Sequence, residues 1–118
     1  MNVKPIVNIG QVMVKKLLAD NKPGVIVNVS SQASLIGMVR HTSYGASKAA
    51  IDQITRTMAA ELGPHNIRVN AVNPTVTLTP MGAEFWGSDP EKAAKMKARI
   101  PLGKFAGKFC RDYSSVTI

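Results

Sequence analysis

Tyr44 and Lys48 open and close the middle of the run SYGASK, four residues apart. On a helix that spacing stacks one side chain above the other, so it pairs a phenol with an ammonium. A phenol ordinarily titrates near about 10 and exchanges protons poorly at neutral pH, but a neighbouring cation and the unpaired N–H groups of a helix start both favour the phenolate. Tuning of that kind is what general acid–base catalysis requires. Ser31 lies thirteen residues before Tyr44. Its hydroxyl can donate to a carbonyl oxygen on which negative charge develops. Tyrosine and lysine at helical spacing also occur as plain surface pairs, so the pair alone leaves both readings open.

The elements that must hold these groups can be read around them. Val25 to Val29 is a short β-branched run, expected to form a parallel strand buried on both faces. Parallel sheets place ligands beyond the carboxyl ends of their strands, which is where Ser30 and Ser31 fall. From about Tyr44 to Leu62 a helix is expected, with Ile51, Ile54, Met58 and Leu62 on one stripe and Ala46, Ala49, Ala50, Ala59 and Ala60 permitting close approach. A left-handed Gly63 followed by Pro64 would stop it. Ile67 to Val72 is expected to form the next strand. Upstream, Asn2 to Ala19 reads as a helix with Pro5 in its first turn; its stripe of Ile6, Ile9, Met13 and Leu17 is widened by Val3, Val7, Val14 and Leu18, which predicts burial on more than one side. Downstream, Ser88, Asp89 and Pro90 start a further helix that runs through Lys97. Phe85 and Trp86 would form an apolar wall for a small substrate or plug the core, and His41 reads as a loop or substrate-rim residue.

Three runs occur in order: NVSS at Asn28 to Ser31, YGASK at Tyr44 to Lys48, and NAVNP at Asn70 to Pro74. Together they resemble the catalytic pattern of the short-chain dehydrogenase/reductase family. RVNAVNPTV followed by TPMG and IPLGKF is most similar, within that family, to the L-xylulose (dicarbonyl) reductases and the tetrameric carbonyl reductases. The resemblance covers about residues 1 to 106. It implies an α/β chain, the second half of a doubly wound parallel-sheet Rossmann-like fold truncated at both ends. No glycine-rich G-x-x-x-G-x-G turn follows an N-terminal strand here, so the part that would hold adenine and pyrophosphate is expected to lie outside these residues. Residues 1–106 then form the catalytic half, and 107–118 a divergent, disordered tail.

What the resemblance implies chemically is reduction of a small carbonyl, a dicarbonyl or a ketose such as L-xylulose, by NADPH or NADH. Tyr44 would protonate the carbonyl oxygen and Ser31 would polarise it. Lys48 would favour the phenolate of Tyr44 and bind the nicotinamide ribose, while Asn2 would organise a water through which protons leave; Asn2 can equally be a plain helix cap. Tyr44, Lys48, Asn73, Pro74, Thr77 and Thr79 fall on the family's cofactor-binding positions. Thr75 departs from the commoner glycine there, and an ordinary loop is the alternative. The resemblance also implies a homo-oligomer built on the two long helices. A catalytically inactive form that only associates with full-length subunits is the second expectation.

Composition narrows the field. At 118 residues with 45% hydrophobic content, the chain has the size and make-up of one globular domain. The formal charge of +8 could suggest nucleic acid, but the lysines are dispersed without aromatic interleaving, and solvated helix faces account for them. One cysteine, Cys110, fits a reducing compartment. No apolar run approaches the roughly 20 residues that span a bilayer, and no cleavable leader is evident. A cytoplasmic protein with no membrane, nucleic-acid or metal partner is therefore expected.

Overall fold

The computed structural model describes residues 2–107. Cys110 and nearly all of the tail expected from 107 onward lie outside the described residues. The chain divides into two compact units, Met1–Asn73 and Pro74–Ile118.

In the first unit, helix α1 (Val3–Ala19) leads through a turn to strand β1 (Gly24–Val29). A short 3-10 turn, Gln32–Ser34, then precedes helix α2 (Thr42–Leu62), and a second one, Gly63–His65, precedes strand β2 (Ile67–Val72). The strands pair in parallel, Gly24 opposite Ile67 through Val29 opposite Val72. Ser30 extends the ladder by donating its N–H to the Val72 carbonyl at 2.8 Å. Parallel neighbours need a long crossover, and α2 supplies it. Both strands therefore deliver their following residues, Ser30–Ser31 and Asn73, to the same end of the sheet.

Ile26, Leu62, Ile67 and Val69 form the core of this unit, with Val14, Leu17, Met58 and Ala59 packed against it. Both helices thus serve one face of the sheet, and two expectations change. Strand β1 is not buried on both faces: Ile26 and Asn28 are buried, but Val25, Val27 and Val29 on the other side are more than half exposed. Helix α1 is covered along the line of Val14 and Leu17, while Ile9 and Met13 of its expected stripe and Leu18 among the widening residues are exposed. Side chains alternate across a strand, so covering one face of two strands leaves every second residue of β1 bare.

The end of α2 also differs from expectation. Gly63 is right-handed (φ −52°, ψ −46°), and the left-handed residue is Asn66 (φ 58°, ψ 28°), which turns the chain into β2. Proline at position 64 tightens the exit into a 3-10 turn rather than a glycine-capped stop. Asparagine tolerates the left-handed region better than most residues.

The second unit holds helices α3 (Pro80–Gly87) and α4 (Pro90–Lys97), with Thr77 bridged in parallel to Ala106. Val76, Ala93, Met96 and Phe105 are buried. Asp89 caps α4 as its sequence predicts, its carboxylate accepting from the Lys92 N–H at 2.9 Å. Helix α3 was not expected from the sequence, although Thr79 and Pro80 carry the signal of a cap followed by proline in the first turn. No described helix is long and apolar enough to cross a membrane.

Candidate active site

The corner begins with a glycine. Gly45 lies in the first turns of α2, and a Cβ there would stand 2.9 Å from the backbone carbonyl of Ala33. Only a residue without a side chain lets α2 come this close to the turn that follows β1. That approach brings the start of α2, with Tyr44, against the segment carrying Ser31.

Two further bonds tie α2 to the end of β1. The Ser30 hydroxyl donates to the Lys48 carbonyl at 3.1 Å, and the Lys48 ammonium donates to the Val29 carbonyl at 3.0 Å. The same ammonium lies 5.7 Å from the centre of the Tyr44 ring. Tyr44 is partly exposed, so its hydroxyl can meet a ligand. Ser31 is buried, and its Oγ accepts from the Ala33 N–H at 3.2 Å. One lone pair is thereby fixed and the O–H is left to donate elsewhere.

Asn2 joins the group by a different route from a helix cap. It occupies the N-cap position of α1, yet no side-chain cap bond forms. Its Nδ2 donates instead to the Ser47 hydroxyl at 3.1 Å, and that hydroxyl donates to the Tyr44 carbonyl at 2.7 Å. Asn2 therefore lies beside the first turn of α2, 45 residues along the chain. His41 stands at the N-cap of α2, its ring edge-on to Tyr44 with centroids 6.1 Å apart, in keeping with a place on the rim.

Asn73 turns inward. Its Nδ2 lies 3.2 Å from the Ser31 carbonyl, 2.9 Å from the Ser34 hydroxyl, and 3.2 and 3.1 Å from the two carboxylate oxygens of Asp52. Asp52 is buried on α2, one turn past Lys48. Burial by itself pushes its carboxyl up. The Asn73 amide and the polar Ser30 and Ser34 side chains beside it, with the Arg56 charge nearby, outweigh that and hold it below the ordinary aspartate value. Asp52 and Ser47 were not singled out in the sequence. An acid set directly after Ile51 of the buried stripe was the signal available for the first.

The remaining expected residues belong to the second unit. Pro74 begins it. The Thr77 carbonyl accepts from the Thr79 N–H at 2.8 Å, and the Thr79 hydroxyl caps α3 by accepting from Gly82 N–H at 3.2 Å. Gly82 is as constrained as Gly45, since a Cβ would fall 2.3 Å from the Thr77 carbonyl oxygen. Thr75 carries a buried hydroxyl with no hydrogen-bond partner among the described residues. Phe85 and Trp86 divide the two roles foreseen for them. Trp86 packs on buried Phe105 at 5.5 Å between centroids, while Phe85 is half exposed with the Lys92 ammonium 3.9 Å over its ring.

Comparison with known proteins places the chain in a family. The family model described as short chain dehydrogenase matches residues 1–89. The chain is 55% identical over 106 residues to the L-xylulose reductase of Bos taurus, covering 90% of this chain and 43% of that protein. It is 50% identical over 106 residues to the D-erythrulose reductase of Gallus gallus, again covering 90% of this chain and 43% of the relative. The crystal structure of an NAD+-bound xylitol dehydrogenase superposes with a TM-score of 0.81 at 28% identity, over 90% of this chain and 45% of that one. The chain thus spans less than half the length of the relatives it matches, and what it spans is one part of their doubly wound, Rossmann-like α/β fold. With three quarters of its residues matched by the family model, the chain belongs to the short-chain dehydrogenase family.

Proposed function

We propose that this chain carries the catalytic half of an NADPH- or NADH-dependent reductase of small carbonyl compounds, a dicarbonyl or a ketose of the L-xylulose kind. The observation that carries the reading is the placement of the Lys48 ammonium, at once 3.0 Å from the Val29 carbonyl and 5.7 Å from the Tyr44 ring. It sets a phenol, a cation and the Ser31 segment at the carboxyl end of a parallel strand, where such sheets bind their ligands. The names of the relatives, reductases of L-xylulose and D-erythrulose, point to the same substrate class.

Tyr44 and Lys48 offer a hydroxyl and an ammonium, a donor pair that fits ribose hydroxyls. In the second unit, the segment that begins at Pro74, directly after Asn73, carries in Thr75 a buried hydroxyl with no hydrogen-bond partner among the described residues. Thr77 and Thr79 are the further residues of that loop assigned to the cofactor. When bound, the nicotinamide would supply the hydride. Tyr44 gives its proton to the carbonyl oxygen, and Ser31 donates to the same oxygen as charge builds on it. Lys48 steadies the phenolate left on Tyr44. Asn2, through Ser47, holds the first turn of α2 and would organise a water through which protons leave the site.

The single cysteine is in keeping with work in the cytoplasm. A homo-oligomer, or association with a full-length relative, is the partner reading, and the exposed apolar side of α1 at Ile9 and Val12 favours it. That observation also supports a second reading, in which the chain associates without turning over substrate. NADPH oxidation in the presence of L-xylulose or diacetyl separates the two, since only the reductase consumes cofactor.

A further inference from the structure

Four acceptors crowd one side-chain nitrogen in the first unit. The Nδ2 of Asn73 has two hydrogens, and within 3.2 Å it meets the Ser31 carbonyl, the Ser34 hydroxyl and both oxygens of Asp52. Only the nitrogen end of an amide can face a carbonyl and a carboxylate together, so the chemistry fixes which way Asn73 points. The Ser34 hydroxyl donates in turn to the Ser31 carbonyl at 2.7 Å. The Ser31 carbonyl is thus held from two directions, and the residue's Oγ is held from a third by the Ala33 N–H.

At the centre of these bonds stands a carboxylate on another element. Asp52 is buried on α2, and it reaches a residue just beyond β2 that in turn reaches a residue just beyond β1. A buried charge persists only where hydrogen bonds replace its lost water. Here those bonds come from the segments that must hold the carbonyl-polarising serine.

We propose that Asp52 is a positioning residue: through Asn73 and Ser34 it fixes the backbone of Ser31, so that the Ser31 hydroxyl is held ready to donate. It touches neither substrate nor cofactor. Removing its charge weakens the hold on the Asn73 amide, which keeps only its bonds to Ser31, Ser34 and a neutral acceptor, and the turn after β1 loses the charged anchor that orients Ser31. The inference rests on the reductase reading for its consequence in catalysis, but its structural content stands by itself.

Amide hydrogen exchange on the isotope-labelled chain tests it. In the unaltered protein the Asn73 side-chain N–H protons should exchange about tenfold or more slowly than those of exposed Asn8 and Asn66, as held amide protons do. In Asp52→Asn the Ala33 backbone N–H should exchange about tenfold faster, the equivalent of one lost charge-assisted hydrogen bond, while Ile26 and Val69 in the core keep their protection. A freely exchanging Asn73 side chain in the unaltered protein overturns the proposal without need of any variant. So does an unchanged Ala33 in Asp52→Asn, or loss of protection at Ala33, Ile26 and Val69 in step. In a chain that turns over, Asp52→Asn should lower kcat about tenfold and leave the cofactor KM within about twofold. A KM effect alone would contradict it, whereas absence of turnover in the unaltered chain would count against the reductase and leave the exchange result to decide on Asp52.

Discussion

The Lys48 ammonium donates to the carbonyl oxygen of Val29 across 3.0 Å. A long cationic side chain on a helix surface ordinarily wanders in water, and ordering it costs rotamer freedom. Here its head is drawn to the last residue of β1, two positions before Ser31. Because Ser30 answers with a bond to the Lys48 carbonyl, strand end and helix hold each other at both the side chain and the backbone of one residue.

Replacing Lys48 with methionine keeps much of the stem and removes the charge. In this variant kcat for carbonyl reduction should fall about a hundredfold, with a rise in cofactor KM, as is typical of losing a preorganised electrostatic group. Steady-state kinetics at several cofactor concentrations would measure both. Wild-type kcat in Lys48→Met would mean that the ammonium serves the fold alone.

Gly45→Ala sets two effects against each other. Helix propensity favours alanine by about 1 kcal/mol, but the new Cβ meets the Ala33 carbonyl at 2.9 Å, and that oxygen belongs to backbone that cannot simply rotate away. Overpacking of this kind costs typically about 1–3 kcal/mol, so net destabilisation of about 1–2 kcal/mol is expected in urea unfolding. A more stable Gly45→Ala would show that α2 and the turn after β1 are less closely set.

Acid should unfold the chain partly through Asp52. Its carboxyl is held below its ordinary value in the folded state, so the unfolded chain takes up the proton more readily. The resulting stability is fully present above the unfolded value of about 3.9 and is lost as pH falls through the lower, folded one. Burial on one side, and on the other Ser30, Ser34 and Asn73 from the segments after the two strands with Arg56 on its own helix, set this balance. Denaturation curves of the unaltered chain and Asp52→Asn, taken from neutral pH downward, should converge in that acid range. Parallel curves throughout would remove Asp52 from the explanation.

Much of this geometry could be read in advance because its periodicity is local. The strand at Val25–Val29, the helix through Tyr44 and Lys48, and the cap at Asp89 each follow from neighbouring residues and formed nearly where expected. Burial of β1 on two faces and of α1 on two sides did not follow, because those depend on what covers an element rather than on its own pattern. Gly63 misled for a related reason: proline after it favours a 3-10 exit, which moved the left-handed turn to Asn66. Asn2 met Ser47, and Asn73 met Asp52, across long stretches of sequence that no spacing rule connects. Such pairings are decided by how α1, α2 and β2 pack.

The exposed side of α1 makes a separate expectation. Val12 is 71% exposed although it lies on the helix next to a packed core, and Ile9 beside it is 60% exposed. If this side is where copies meet, Val12→Lys should shift sedimentation towards the monomer without lowering the unfolding midpoint measured at low concentration. Unchanged sedimentation would take α1 out of the interface.

The most direct measurement is NADPH oxidation by the purified chain with L-xylulose and with diacetyl, run beside Tyr44→Phe. Phenylalanine preserves the ring beside Lys48 and His41 and removes only the hydroxyl, so the fold should be unaffected. Carbonyl-dependent oxidation should fall by about 10²–10⁴-fold in the variant, the usual weight of a general acid. Equal turnover by the two proteins would contradict the role of Tyr44, and no turnover by either in folded samples would contradict the reductase and leave association as the function.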